Sequence, residues 1–198
     1  MSTKRRRRRA QTGLCASVAM GLLTASLAGV AAANPAASSQ GFVDDLGHAV
    51  DEGSTHKPLQ LVVFGYTSCP DVCPLTLVAV HRALVALGPQ AAKIDPVFVT
   101  VDPERDTLAV LHQYVEAFDG RIRGYRGDAD TLAQFAARLH VRYWRESTGP
   151  KPDDYGMSHT AALFVLTPDG RVAARIEQSS NPEFLTSSLV TAMQDNLR

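Results

Sequence analysis

The chain has 198 residues, 45% of them hydrophobic, with 20 basic and 20 acidic side chains. That length and apolar content fit one domain with a substantial core. The zero net charge averages two unlike regions: six basic residues lie at positions 4–9, and without residues 1–33 the remainder holds 14 basic and 20 acidic groups, a net charge of −6. A mildly acidic domain is a poor general binder of phosphate backbones, so nucleic acid is not expected as a partner; cationic species or basic surfaces suit it better.

The chain opens with Lys4 and Arg5 to Arg9, followed by an uncharged, small and apolar run over residues 13–30 and by Ala31-Ala32-Ala33 before Asn34. Basic block, apolar stretch and small-residue exit together read as a secretory signal over residues 1–33. The alternative is an uncleaved membrane anchor, but Ala, Ser, Thr and Gly make the run weakly hydrophobic for spanning. Cys15 follows Gly13-Leu14 and does not form a lipobox. The expected location is outside the cytoplasm, periplasmic or on the outer face of the cytoplasmic membrane. Residues 34–40, rich in Ala, Ser and Pro, read as a linker to a domain over residues 41–198.

Within that domain, Phe42-Val43 and Ala49-Val50 flank a turn and suggest a small hairpin. Residues 61–66 form a continuous apolar run, as expected of a central strand buried on both faces. Residues 75–87 repeat apolar positions at helical spacing and stop at Gly88-Pro89. Residues 97–101 read as a second buried strand. Asp106-Thr107 can cap a helix running to Phe118, residues 122–125 can form a short strand, and Asp130-Thr131 can begin a third helix through Leu139. Residues 141–158 show no period and contain Gly149-Pro150 and Pro152, so they read as a long surface loop in which Tyr143, Trp144 and Tyr155 either dock a partner or pack the loop down. Residues 161–166 and 171–176 form an antiparallel pair across Thr167-Pro168-Asp169-Gly170. Asn181-Pro182 starts a last helix. Alternating strands and helices with a final hairpin predict an α/β three-layer sandwich, a mixed sheet with helices on both faces in the thioredoxin-like layout.

The chemistry concentrates in Cys69-Pro70-Asp71-Val72-Cys73-Pro74, between the first buried strand and the first long helix. The carboxyl end of a central strand is where α/β sheets place ligands. Cys73 falls at a helix start, where free N–H groups favour a thiolate. A structural disulfide here would close a small loop and constrain little. Dithiol oxidoreductases typically place two residues between their cysteines, and this motif has three. Zinc would want a second Cys or His pair, which the chain lacks. Two thiolates with one imidazole suit Cu(I), or Cu(II) with a further donor. Of six histidines, His81 and His112 lie within helices, His140 ends one, and His48 and His56 lie in the polar N-terminal segment. His159 directly precedes the strand expected beside the central one, and is either a third ligand or a plain loop histidine.

The run from Phe64 to Pro74, the segment Val101-Asp102-Pro103-Glu104-Arg105-Asp106-Thr107, and His159-Thr160 followed by an apolar strand and Pro168-Asp169-Gly170 resemble, in order, three motifs of the SCO/SenC family of copper-delivery proteins. The resemblance covers about residues 41–198. It implies a thioredoxin-like fold, copper held by Cys69, Cys73 and His159, and a part in maturing the dinuclear Cu(A) centre of cytochrome c oxidase. The implied partners are that enzyme's copper-site subunit or another copper-receiving protein, and a thioredoxin-like reductant. Asp71 carries over only as a motif residue, with a part in metal exchange as an expectation; Asp102 and Asp106 are expected to shape their loop and cap the helix. Three functions compete: a copper chaperone, a thiol-disulfide oxidoreductase using Cys69 and Cys73 on a partner's cysteines, and a secreted domain with one structural disulfide. The first two are compatible, since a dithiol must be reduced before it takes copper.

Overall fold

A computed structural model of the chain describes residues 41–50, 55 and 57–197. The leader, the linker and His56 lie outside the described residues. The small hairpin forms as expected: β1 (Phe42–Asp44) pairs antiparallel with β2 (Ala49–Val50). The Asp44 carboxyl accepts the Leu46 and His48 N–H groups, and Gly47 takes φ +90, which a side chain rarely adopts.

The core is a seven-stranded mixed sheet ordered β2-β1-β5-β4-β3-β8-β9. At its centre, β3 (Leu59–Gly65) runs parallel to β4 (Ile94–Thr100), which runs parallel to β5 (Arg123–Gly127). Every residue of β3 and β4 is buried. Their runs are continuous because both faces are covered. On one face Phe98 packs at 5.4 Å on Tyr114 of α2 (Leu108–Glu116). On the other, Phe64 packs at 5.6 Å on Phe135 of α3 (Ala129–Arg138). The register sets Phe64 beside Val99 and so turns Phe98 the opposite way. The first helix, α1 (Val72–Ala86), packs against α4 (Pro182–Asn196), which also lies on β9. The helix starts follow local chemistry: Thr107, Asp128 and Asn181 each accept an N–H of the following turn. The cap of α2 is therefore Thr107 alone, since Asp106 points inward.

One segment departs from expectation. Residues 141–158 are not a loop: β6 (Tyr143–Ser147) and β7 (Tyr155–His159) form a separate two-stranded antiparallel sheet. Only Met157 of these strands is buried, so no apolar alternation marks them in the sequence. Gly149, Pro150 and Pro152 belong to the connection, where Thr148 donates to the Asp154 carbonyl at 2.7 Å. From β7 the chain passes through Thr160 into β8 (Ala162–Leu166), which runs antiparallel to β3 with Leu163 opposite Val63; β9 (Val172–Glu177) closes that edge. Because β8 is antiparallel to β3, its first residues stand at the carboxyl end of β3, and the hairpin's last residue, His159, arrives beside the cysteine loop.

Candidate metal centre

The cysteine loop is pinned from the strand side. Asp106, fully buried, accepts from the Thr67 N–H at 3.0 Å, the Thr67 hydroxyl at 2.6 Å and the Thr100 hydroxyl at 2.5 Å. Two residues before Cys69 the chain is thus tied to the end of β4. Gly65 is required where β3 ends: a Cβ there would stand 2.6 Å from the Phe98 ring and 3.0 Å from Cys73 Sγ.

The two cysteines are free thiols in unlike settings. Cys73, in the first turn of α1, is fully buried. Burial pushes its thiol up to about 12, against the backbone N–H of Tyr66, which favours the charged form. Cys69 is half-buried; burial pushes its thiol up too, but the Asp71 and Cys73 N–H groups, the Cys73 thiol and the Tyr66 hydroxyl outweigh it and hold the thiol below its ordinary value. The Cys73 N–H reaches Cys69 Sγ at 3.5 Å. The expectation of a favoured thiolate at Cys73 is corrected: the N–H groups at the helix start point at Cys69, and burial dominates at Cys73. The Asp71 side chain makes no capping hydrogen bond; Asp71 is exposed at the rim.

His159 faces this pair. Its Nε2 stands 4.0 Å from Cys73 Sγ, and its Nδ1 lies 3.1 Å from the Thr160 carbonyl oxygen. A carbonyl can only accept, so Nδ1 carries the proton and Nε2 presents a lone pair to the sulfur. Burial lowers the imidazole below its ordinary value, favouring the neutral, ligating form. One ion fits between the two donors: metal–nitrogen and metal–sulfur bonds of about 2.0 and 2.3 Å span at most about 4.3 Å. Among the described residues no three His, Cys, Asp or Glu side chains are gathered closely enough to cage an ion. Two donors face each other and Cys69 stands beside them at the mouth of a cleft of about 450 Å³, whose walls include Tyr66, Asp71, Trp144, Met157 and Gln178. A larger groove of about 690 Å³, lined by α1 and α4, contains none of the three donors.

The other described histidines are engaged elsewhere. His48, His81 and His112 turn Nδ1 to Asp44, Asp119 and Asp45 at 3.2, 2.8 and 2.7 Å. His140, just past α3, has φ 54 and is exposed. Of the aromatic residues in the hairpin, Trp144 is 49% exposed and lines the cleft, whereas Tyr143 and Tyr155 pack on the core. Sequence reasoning missed Tyr66 and Met157 as cleft walls, because Tyr66 ends a run that reads as buried strand and Met157 lies in the segment that reads as a surface loop.

Fold and site together define a thioredoxin-like domain with soft donors gathered at the carboxyl edge of its central strand. The family model described as SCO1/SenC matches residues 31–194, and the chain belongs to that family. It is 40% identical over 134 residues to the mitochondrial protein SCO2 homolog of Bos taurus, covering 65% of this chain but only 49% of that relative, so it spans about half the length of the curated relative it matches. Among solved structures, Bradyrhizobium japonicum ScoI with copper bound is 34% identical with a TM-score of 0.67, over 78% of this chain and 97% of that one. Arabidopsis thaliana ScoI with copper bound is 26% identical with a TM-score of 0.70, over 79% and 96%.

Proposed function

We propose that this domain binds copper through Cys69, Cys73 and His159 and passes it to the copper-site subunit of cytochrome c oxidase, or to another copper-receiving protein. The observation that carries this reading is the lone pair of His159 Nε2 aimed at Cys73 Sγ from 4.0 Å, with Nδ1 tied to a backbone carbonyl. An outward hydrogen bond of this kind fixes tautomer and orientation in histidines that ligate metals. Copper is the cargo: thiolate and imidazole donors suit Cu(I), and the two ScoI relatives were solved with copper bound. Half-buried Cys69 at the mouth is the donor that a recipient's thiolates reach first, so the ion leaves by stepwise ligand exchange. Residues 1–33 act as the export signal or tether that places the domain outside the cytoplasm. Among the described residues no helix is long and apolar enough to cross a membrane.

The asymmetry of the thiols favours a second activity. The more acidic, more accessible Cys69 can attack a partner disulfide to form a mixed disulfide and release one partner thiolate. Cys73, after losing its proton, then attacks Cys69; the partner leaves as a dithiol and the Cys69–Cys73 pair is left oxidised by two electrons.

Anaerobic Cu(I) titration against a competing chelator tests the site. His159→Ala is expected to lose roughly a hundredfold in affinity. An unchanged value removes His159 from the site. In the same preparations, reduction of an oxidised dithiol peptide no faster than by glutathione removes the second activity.

A further inference from the structure

The hairpin that carries His159 shares no strand pairing with the main sheet; Met157 and Tyr143 pack it on the core, and its polar attachment gathers at Tyr155. The Tyr155 ring lies under the Arg105 guanidinium at 3.7 Å and beside that of Arg145 at 4.6 Å. Arg105 Nη1 donates to the Tyr155 carbonyl at 2.9 Å, and the Tyr155 hydroxyl donates to Asp102 Oδ1 at 2.9 Å. Asp102 in turn accepts from Arg105 Nε, and Arg145 pairs with Glu104. Residues 102–105 therefore grip the first residue of β7, and Asp106 in the same segment grips Thr67 ahead of Cys69. Tyr155 and His159 lie on the same face of β7, since side chains alternate along a strand. A displacement of Tyr155 is carried along the strand to the imidazole.

We propose that Arg105 and Asp102 clamp Tyr155 and thereby set the reach of His159 to Cys73, so that these three are positioning residues for the third copper donor. This rests on the copper reading above. Arg105 Nε and Nη1 both donate while Nη2 is buried without a hydrogen-bond partner among the described residues, so the clamp carries one unpaired donor that lowers its net stability. Opening it frees the hairpin without unfolding the sheet, because β3 and the cysteine loop keep their own tie through Asp106.

The test is a double-mutant cycle on copper binding by the whole protein. Tyr155→Phe keeps the stacked ring and loses only the bond to Asp102; Arg105→Leu removes the clamp. Each is expected to speed Cu(I) loss to a chelator, Arg105→Leu by about 10–100-fold. Neither is expected to add to the loss already caused by His159→Ala. In the metal-free protein, hydrogen exchange of the amides of residues 143–159 is expected to quicken in both variants, while β3 and α1 stay protected. If Arg105→Leu weakens copper equally with and without His159, or leaves copper binding and hairpin exchange unchanged, the clamp is refuted while the copper site stands. Wild-type protein that binds no copper refutes both.

Discussion

At the scale of single residues, two cysteines of the same motif are chemically unlike because their sulfurs end in different places. Cys73 is fully enclosed, so its thiolate has little solvation and its thiol sits at about 12. Cys69 accepts N–H groups from the loop and is held below its ordinary value. Alkylation by iodoacetamide at neutral pH should therefore fall on Cys69. Cys69→Ser is expected to slow labelling by about a hundredfold and Cys73→Ser to leave it nearly unchanged, read by mass spectrometry. Equal rates in the two variants would contradict the assigned environments. The imidazole of His159, lowered by burial, stays neutral to below its ordinary value of 6.5. Protons should compete for Nε2 only below that pH, whereas the Cys73 thiol must lose its proton to bind copper throughout this range; wild type and His159→Ala should therefore lose copper affinity in parallel from pH 8 to pH 7, and a steeper loss in the wild type there would contradict the assigned imidazole.

At the scale of elements, the segment between β4 and α2 contacts both the cysteine loop and the β6–β7 hairpin. Its Asp106 collects two hydroxyls and one N–H from β4 and from the cysteine loop. Asp106→Ala leaves the enclosed Thr100 hydroxyl and the Thr67 donors without their acceptor. A loss of about 2–4 kcal/mol is expected in urea unfolding, because buried donors left unpaired cost more than the bonds themselves were worth. A loss below about 0.5 kcal/mol would place this residue among ordinary surface positions. The β6–β7 hairpin is the contrasting element. Its strands are mostly solvated, and side-chain contacts at Tyr155 and the buried Met157 attach it. Low local stability is a usual property of segments that open and close around a site.

At the scale of the whole domain, carboxylates bridge elements distant in sequence. Asp119, just past α2, holds Arg121 and takes His81 of α1 at 2.8 Å. The hydrogen bond from Arg121 holds its carboxyl well below the usual carboxylate range. A carboxylate with a lowered folded-state pKa stabilises above its ordinary pKa, and that contribution is lost as pH falls through the folded value. Asp119→Asn should therefore lower the melting temperature at neutral pH, and its deficit should shrink as the pH drops from about 5 to about 2. A deficit independent of pH would mean that packing, not charge, is what the mutation removes.

The amino-acid sequence by itself determined the sheet's buried centre, the helices and their order, and the two thiols at the end of the first central strand. These are local or periodic properties: continuous apolar runs need two covered faces, caps need a side-chain oxygen, and four-residue spacing places Cys69 beside the start of α1. Only the tertiary structure decided the rest. It made a hairpin of residues 143–159, since two largely solvated strands are held by pairing with each other and by contacts at Tyr155 and the single buried Met157, none of which leaves a hydrophobic period. It moved the favoured thiolate from Cys73 to Cys69, because burial depends on what the rest of the chain packs over the sulfur. It set His159, already singled out by its place before a strand, 4.0 Å from Cys73, because an antiparallel β8 brings the end of β7 back to the cysteines across a separation of 86 residues.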